Sequence, residues 1–212
     1  NLMDASRIEA GDVVAVSKSL GLEGSAILAS DRREDLEKHL SDDEMHEANS
    51  YLDRISVLEE GRIGAELGVQ YMHDITEGGL FGAIYEAAEA IGKGITLKGP
   101  FPFTAVTKKI AAYFSIDPHR LISSGSMLLI IPREKIEEAK QLFSEKNVPL
   151  HLIGEVTEEG VFIEETETLT PIDPPTKDTL YQALSKKEDR LLLLATDNQD
   201  KAKEMKELVS HL

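Results

Sequence analysis

The chain has 212 residues, 41% hydrophobic and 29% charged, enough apolar material for a packed core of one domain or one domain with a fragment. Its 23 Lys and Arg against 39 Asp and Glu leave a net charge of −16, which opposes the pull of a phosphate polyanion and argues against nucleic acid and anionic membrane surfaces as partners. Cys 0 excludes disulfides, thiolate metal sites and thiol nucleophiles within these residues; with no apolar run near the ~20 residues of a membrane span and no basic-then-apolar leader, a cytoplasmic protein is expected.

In chain order, Val13, Val14 and Val16 predict a strand after the Gly11-Asp12 turn, and Gly21 and Gly24 lead into a helix from Ser25 to Leu40. Ser41 followed by Asp42, Asp43 and Glu44 predicts the N-cap and acidic first turn of a second helix, to Leu52. A helix over Val57–Leu67 should stop at Gly68, and a strand over Val69–Met72 then delivers the segment 73–79. Leu80, Ile84, Ala87, Ala88 and Ile91 recur at helical spacing until Gly92 and Gly94. Beyond them come a strand at Ile95–Leu97, a helix over Thr104–Phe114, a buried strand at Met127–Ile131 and a helix bearing Ile136, Ala139, Leu142 and Phe143. Leu150–Val156 and Val161–Ile163 are expected as a hairpin. The alternation predicts an α+β fold, a layered α/β/α domain around one mainly mixed sheet over residues 1–164. Residues 165–178, with Pro171, Pro174 and Pro175, are expected to be a linker. An appendage over 179–212 would then hold a helix near Leu180–Leu184, a strand at Leu191–Ala195 and a helix over Gln199–Val209.

Three small-residue loops are the places for chemistry. Asp74, Thr76, Glu77, Gly78 and Gly79 fall where a strand ends and a helix begins, where free N–H groups and the helix dipole favour phosphate or carboxylate and an Asp can hold Mg²⁺. The same spacing also suits a turn Asp and a Thr cap of a core helix. Ser124, Gly125 and Ser126, preceded by Ser123, offer hydroxyls before a buried strand, or form an ordinary turn. Ser17 to Gly24 carries one cation, Lys18, but neither a P-loop ending nor a dinucleotide fingerprint. His46, His73, His119 and His151 lack metal-ligand spacing, and satisfied or solvated histidines are expected.

Together these loops resemble the C-terminal domain of the AIR synthase (PurM) superfamily of ATP-using enzymes. Asp74-Ile75-Thr76-Glu77-Gly78-Gly79-Leu80 is similar to the Asp-x-Thr-x-Gly-Gly segment of HypE-related hydrogenase maturation factors. Gly11 to Val14 with Gly21 to Gly24 resemble the family's first strand and loop, and Ser124 to Leu128 its late strand. The resemblance spans Gly11 to Ile163. It implies a domain closing over ATP and a small-molecule substrate, with Mg²⁺ at Asp74 and nucleotide or substrate contacts at Lys18, Gly24, Thr76, Glu77, Gly78, Gly79, Ser124, Gly125 and Ser126. It also implies a homodimer in the full-length protein and a maturation-protein partner. The family's acidic metal cluster lies in an N-terminal domain that does not precede Gly11, so the isolated chain is expected to bind ATP weakly or not at all. Glu23 and Glu77 stand where HypE enzymes commonly carry His and Arg, and no cysteine is present to accept a carbamoyl group. Another ATP-dependent member of the superfamily, acting on a small metabolite, and a non-catalytic acidic interaction domain are the alternative readings. Leu192 to Lys201 weakly resembles the opening of Ham1-type nucleoside-triphosphate pyrophosphatases, with Asp200 in place of their glycine.

Overall fold

A computed structural model describes residues 5–175 and 177–185. Seven strands, β1 (Val13–Ser17), β2 (Tyr71–Asp74), β3 (Gly94–Lys98), β4 (Met127–Ile131), β5 (Leu150–Thr157), β6 (Val161–Glu165) and β7 (Thr168–Pro171), form one mixed sheet in the order β2-β4-β1-β5-β3-β6-β7. All neighbours are antiparallel except β3 and β6. Among the described residues the helices of eight residues or more are α1 (Leu22–Asp31), α3 (Asp42–Ser50), α4 (Leu58–Leu67), α5 (Gly79–Ile91), α6 (Ala105–Phe114) and α7 (Ile136–Glu145); α2 (Arg33–Leu36) is one turn, and the described part of α8 is 179–185.

Strand alternation sorts the core. Val14, Val16, Leu128 and Ile130 join Leu80, Ile84 and Ala87 of α5 in one cluster, whereas Ala15, Leu129 and Ile131 join Ile63 and Leu67 of α4 and Phe143 of α7 in another. A third cluster gathers α1, α3 and α6 with Leu180 and Ala183 of α8. The fold is α+β as expected, with helices against both faces of the sheet.

Three local expectations are corrected. The helix expected over 25–40 breaks at Arg32, whose backbone leaves the helical region at φ −115° while its buried guanidinium pairs with Asp35 at 2.8 Å and lies over the Phe114 ring. β5 and β6 do not form a hairpin, because β3 lies between them. Glycines admit it: a Cβ on Gly154 would stand 2.3 Å from Thr96 O, and one on Gly94 2.3 Å from Glu159. Part of the expected linker is strand β7, turned back on β6 through Thr166 and Glu167, at φ 47° and 66°. Ile172 after it is buried in the α5 cluster, and its carbonyl accepts from the Tyr85 hydroxyl. The strand expected at 191–195 and the helix at 199–209 lie outside the described residues.

Candidate functional site

Topology puts the three loops at one end of the sheet. β1 ends at Ser17 and β2 at Asp74, and Asp74 is paired with Met127, where β4 starts. Hydrogen bonds then knot the loops. The Ser126 carbonyl accepts from Ile75 N–H at 2.9 Å, and its hydroxyl donates to Ser19 O at 2.7 Å. Ser123 Oγ accepts from Gly21 N–H at 2.5 Å, while Ser123 N–H donates to Thr76 O at 3.4 Å.

Beside these loops is an ion pair between half-buried Lys18 and buried Glu60. Lys18 Nζ stands 2.9 Å from Glu60 Oε1 and donates to the carbonyls of Arg54 (3.0 Å) and Ser56 (2.7 Å). Three acceptors match the three protons of an ammonium, so Lys18 is committed to holding its own loop. Ser17 Oγ donates to Glu60 at 3.2 Å and accepts from Met127 N–H at 2.9 Å, tying the pair to β4. Glu60 was not among the residues expected here. Its signal is its place on the Glu60, Ile63, Gly64, Leu67 stripe, the buried face of α4.

Asp74 Oδ1 and Glu23 Oε2 are buried without a hydrogen-bond partner among the described residues. Burial pushes the Asp74 carboxyl above its ordinary value; the charges of His73 and Lys18 oppose that push, and those of Glu23 and Glu60 add to it. A carboxylate oxygen with no donor suits a hard cation. Among the described residues no group of three or more metal-ligating side chains forms, so these residues could supply only part of a coordination shell.

The glycines serve the knot itself. A Cβ on Gly24 would meet the Leu121 side chain at 2.5 Å, one on Gly79 the carbonyls of Leu121 (2.6 Å) and His119 (2.7 Å), and one on Gly125 the Arg54 carbonyl at 2.9 Å. Gly78, the α5 N-cap at φ 85°, differs: a Cβ there meets only Gly82 Cα, at 3.5 Å. Thr76, Glu77 and Ser124 leave the knot toward solvent, the first two exposed and the third half-buried.

Thr76 does not cap α5. The cap comes from Asp178, a hundred residues on, whose Oδ2 accepts from Gly78 N–H at 2.8 Å. Its Oδ1 accepts from Leu180 N–H at 2.8 Å, and Ile122 N–H bonds the same carboxylate. Only 2% of Asp178 is exposed, and burial raises its carboxyl although the three N–H groups pull the other way. Tyr181 beside it hydrogen-bonds Glu77. Asp before Thr179-Leu180 signals an N-cap for α8; nothing local signals the second helix it caps.

His119 also departs from expectation. Its Nδ1 lies 2.8 Å from Asp117 Oδ1 and its ring stacks on Phe81 at 4.8 Å, but Nε2 is buried with no partner among the described residues. Burial raises the Asp117 carboxyl, and the hydrogen bonds from His119 outweigh that and leave it lowered. His73 likewise has one paired nitrogen, 3.2 Å from Glu86, and one without a partner.

Residues 9–166 match the AIR synthase related protein, C-terminal domain family. The chain is 30% identical over 180 residues to a protein of Methanocaldococcus jannaschii described as a hydrogenase expression/formation protein, covering 82% of this chain and 51% of the relative. It is 29% identical over 138 residues to carbamoyl dehydratase HypE of Rhodobacter capsulatus, covering 65% and 38%. The crystal structure of HypE from E. coli superposes with a TM-score of 0.68 at 25% identity, over 86% of this chain and 55% of that one. A HypE–HypF complex (TM-score 0.60, 21% identity, 81% of this chain and 55% of that one) and HypE in complex with ATP (0.59, 19%, 81% and 54%) share the fold. The chain spans about half the length, or less, of the curated relatives it matches. It belongs to the AIR synthase related C-terminal domain family, among homologues of HypE.

Proposed function

We propose that the chain acts as the C-terminal domain of an ATP-dependent, HypE-related maturation factor, supplying one wall of a nucleotide and substrate cleft that an N-terminal domain completes. The observation that carries this reading is the joining of loops 18–24, 74–79 and 123–126 at one end of the sheet, in a chain whose relatives are hydrogenase maturation proteins. In it Thr76, Glu77, Gly78 and Ser124 face ligand, Gly24, Gly79, Gly125 and Ser126 shape the loops, and Lys18 holds the floor. Asp74 Oδ1 is the atom that would meet Mg²⁺, with Glu23 beside it. When bound, Mg²⁺ neutralises phosphate charge in a domain of net charge −16. The likeness to HypE–HypF and HypE–ATP structures makes a HypF-like partner and ATP the first candidates to test. A homodimer and a cytoplasmic location complete the reading. The sequence holds no cysteine, so no thiol chemistry is assigned to these residues.

Calorimetric titration with Mg-ATP tests the division of labour. The chain alone should show no micromolar binding, and a chimera joining the N-terminal half of E. coli HypE to this chain should bind as HypE does. Micromolar binding by the chain alone, or a folded chimera that binds no nucleotide, overturns the reading.

A further inference from the structure

Residues 172–175 and 177–185, the latter including α8, lie against the candidate site. Arg120 donates to Asp173 O at 3.0 Å and to Pro174 O at 3.4 Å, and Thr179 Oγ1 donates to Asp117 O at 3.2 Å. The Arg32 guanidinium donates to Ala183 O, and Ile172, Leu180 and Ala183 are buried. Within this strap Asp178 puts a carboxylate, 2% exposed, on the N–H of Gly78 at the positive end of the thirteen-residue helix α5.

We propose that the strap is a latch whose Asp178 carboxylate occupies, as an internal anion, the position a phosphate group takes at Gly78, so that latch docking and anion binding exclude each other. This rests on the reading of loop 74–79 as facing phosphate. Three features support it. The occupant is an anion of the right charge, held by backbone N–H groups as an oxyanion would be. It belongs to a segment a hundred residues away, whereas α3 and α6 take their caps from Ser41 and Thr104 at their own first turns, where the cap cannot leave without unwinding the helix. Apart from its chain neighbours, a Cβ built on Gly78 meets only Gly82 Cα within 4 Å among the described residues. Because Oδ1 of the same carboxylate caps α8 through Leu180, an arriving anion would also uncap α8.

The test uses the 212-residue chain, its Asp178→Ala variant and inorganic phosphate as the probe, followed through the Gly78 amide resonance and backbone amide exchange. In Asp178→Ala the Gly78 resonance should titrate at phosphate concentrations about tenfold or more below those the parent needs. In the parent, saturating phosphate should speed exchange of the Leu180 and Tyr181 amides by a similar factor of about ten. Equal titration in both proteins, or a Gly78 resonance that moves in neither, overturns the latch. Should the variant not fold, the parent decides alone: saturation at Gly78 with Leu180 exchange unchanged also overturns it. The readouts separate this from the function proposed above. A latch that fails while the chimera binds Mg-ATP leaves that reading standing, and phosphate capture by Asp178→Ala beside an inert chimera leaves only the latch.

Discussion

Two carboxylates bracket the loop between β2 and α5, and they are held in opposite ways. Asp74, at the strand end, keeps one buried oxygen with no donor among the described residues; Asp178, at the helix start, takes N–H groups from Gly78, Leu180 and Ile122. Burial is the largest influence on both and raises both above the ordinary carboxylate value. The same desolvation therefore has two outcomes. Where backbone donors are supplied, the carboxylate becomes part of the fold. Where they are withheld, its capacity is left for something outside the fold. On the readings proposed above, Asp74 is the carboxylate offered to a ligand and Asp178 the one that closes the site.

The most damaging way to break this contrast is through the ion pair. Lys18→Met would strand Glu60, 1% exposed, with only the Ser17 hydroxyl, and would remove a cation that favours the charged form of Asp74. A loss of about 3 kcal/mol in urea unfolding is expected, and adding Glu60→Leu should recover most of it. Asp178→Ala comes next. It leaves the N–H groups of Gly78, Leu180 and Ile122 without their acceptor, and a loss of about 2 kcal/mol is expected, with a cooperative melt retained.

How far these sites could be read from the sequence follows from what each needs. The strand and helix periods were legible, as were the Ser41 N-cap with its acidic first turn and the Gly68 and Gly92 stops, because each is written within a few residues. The Asp74–Gly79 loop was legible for the same reason. β7 was not, because its turn is made by Thr166 and Glu167 in the left-handed region, without the Asn or Gly that announces such a turn. Neither was the insertion of β3 between β5 and β6, which depends on Gly94 and Gly154, far apart in sequence, letting neighbouring backbone approach closely. The Asp178 cap is the extreme case: half of its meaning is local to α8, and the other half exists only in three dimensions.

Asp74→Asn sharpens the comparison in the other direction. With its carboxyl raised, the folded state holds the Asp74 proton more tightly than the unfolded chain does, so this residue's contribution to stability is present at low pH. It is lost as pH rises from the ordinary 3.8 through the raised folded value. Removing the charge should flatten that part of the pH–stability curve and add about 1 kcal/mol or less near neutral pH, discounted for partial exposure. The same change should abolish any Mg²⁺ dependence of nucleotide binding in the chimera. A destabilised Asp74→Asn protein would mean that the carboxylate has a donor after all, and the contrast with Asp178 would fail.

The smallest expected effect on folding is the most informative about the site. Thr76 lies between Asp74 and Gly78, and its sequence position suits a cap, yet the α5 N-cap is Gly78 and the side chain that accepts a backbone N–H there is Asp178. Its side chain is exposed, and only its carbonyl is engaged, by the N–H groups of Gly79 at 3.1 Å and Ser123 at 3.4 Å. Those bonds survive any side-chain substitution. Thr76→Ala should therefore leave stability within about 0.5 kcal/mol, far below the loss of about 1 kcal/mol typical of a removed Thr cap. In the chimera the same substitution should weaken Mg-ATP binding by about tenfold, the cost of one hydrogen bond to a charged group. Unfolding curves and calorimetry on one preparation give both numbers. A stability loss near 1 kcal/mol with unchanged affinity would make Thr76 a capping residue and remove it from the ligand face.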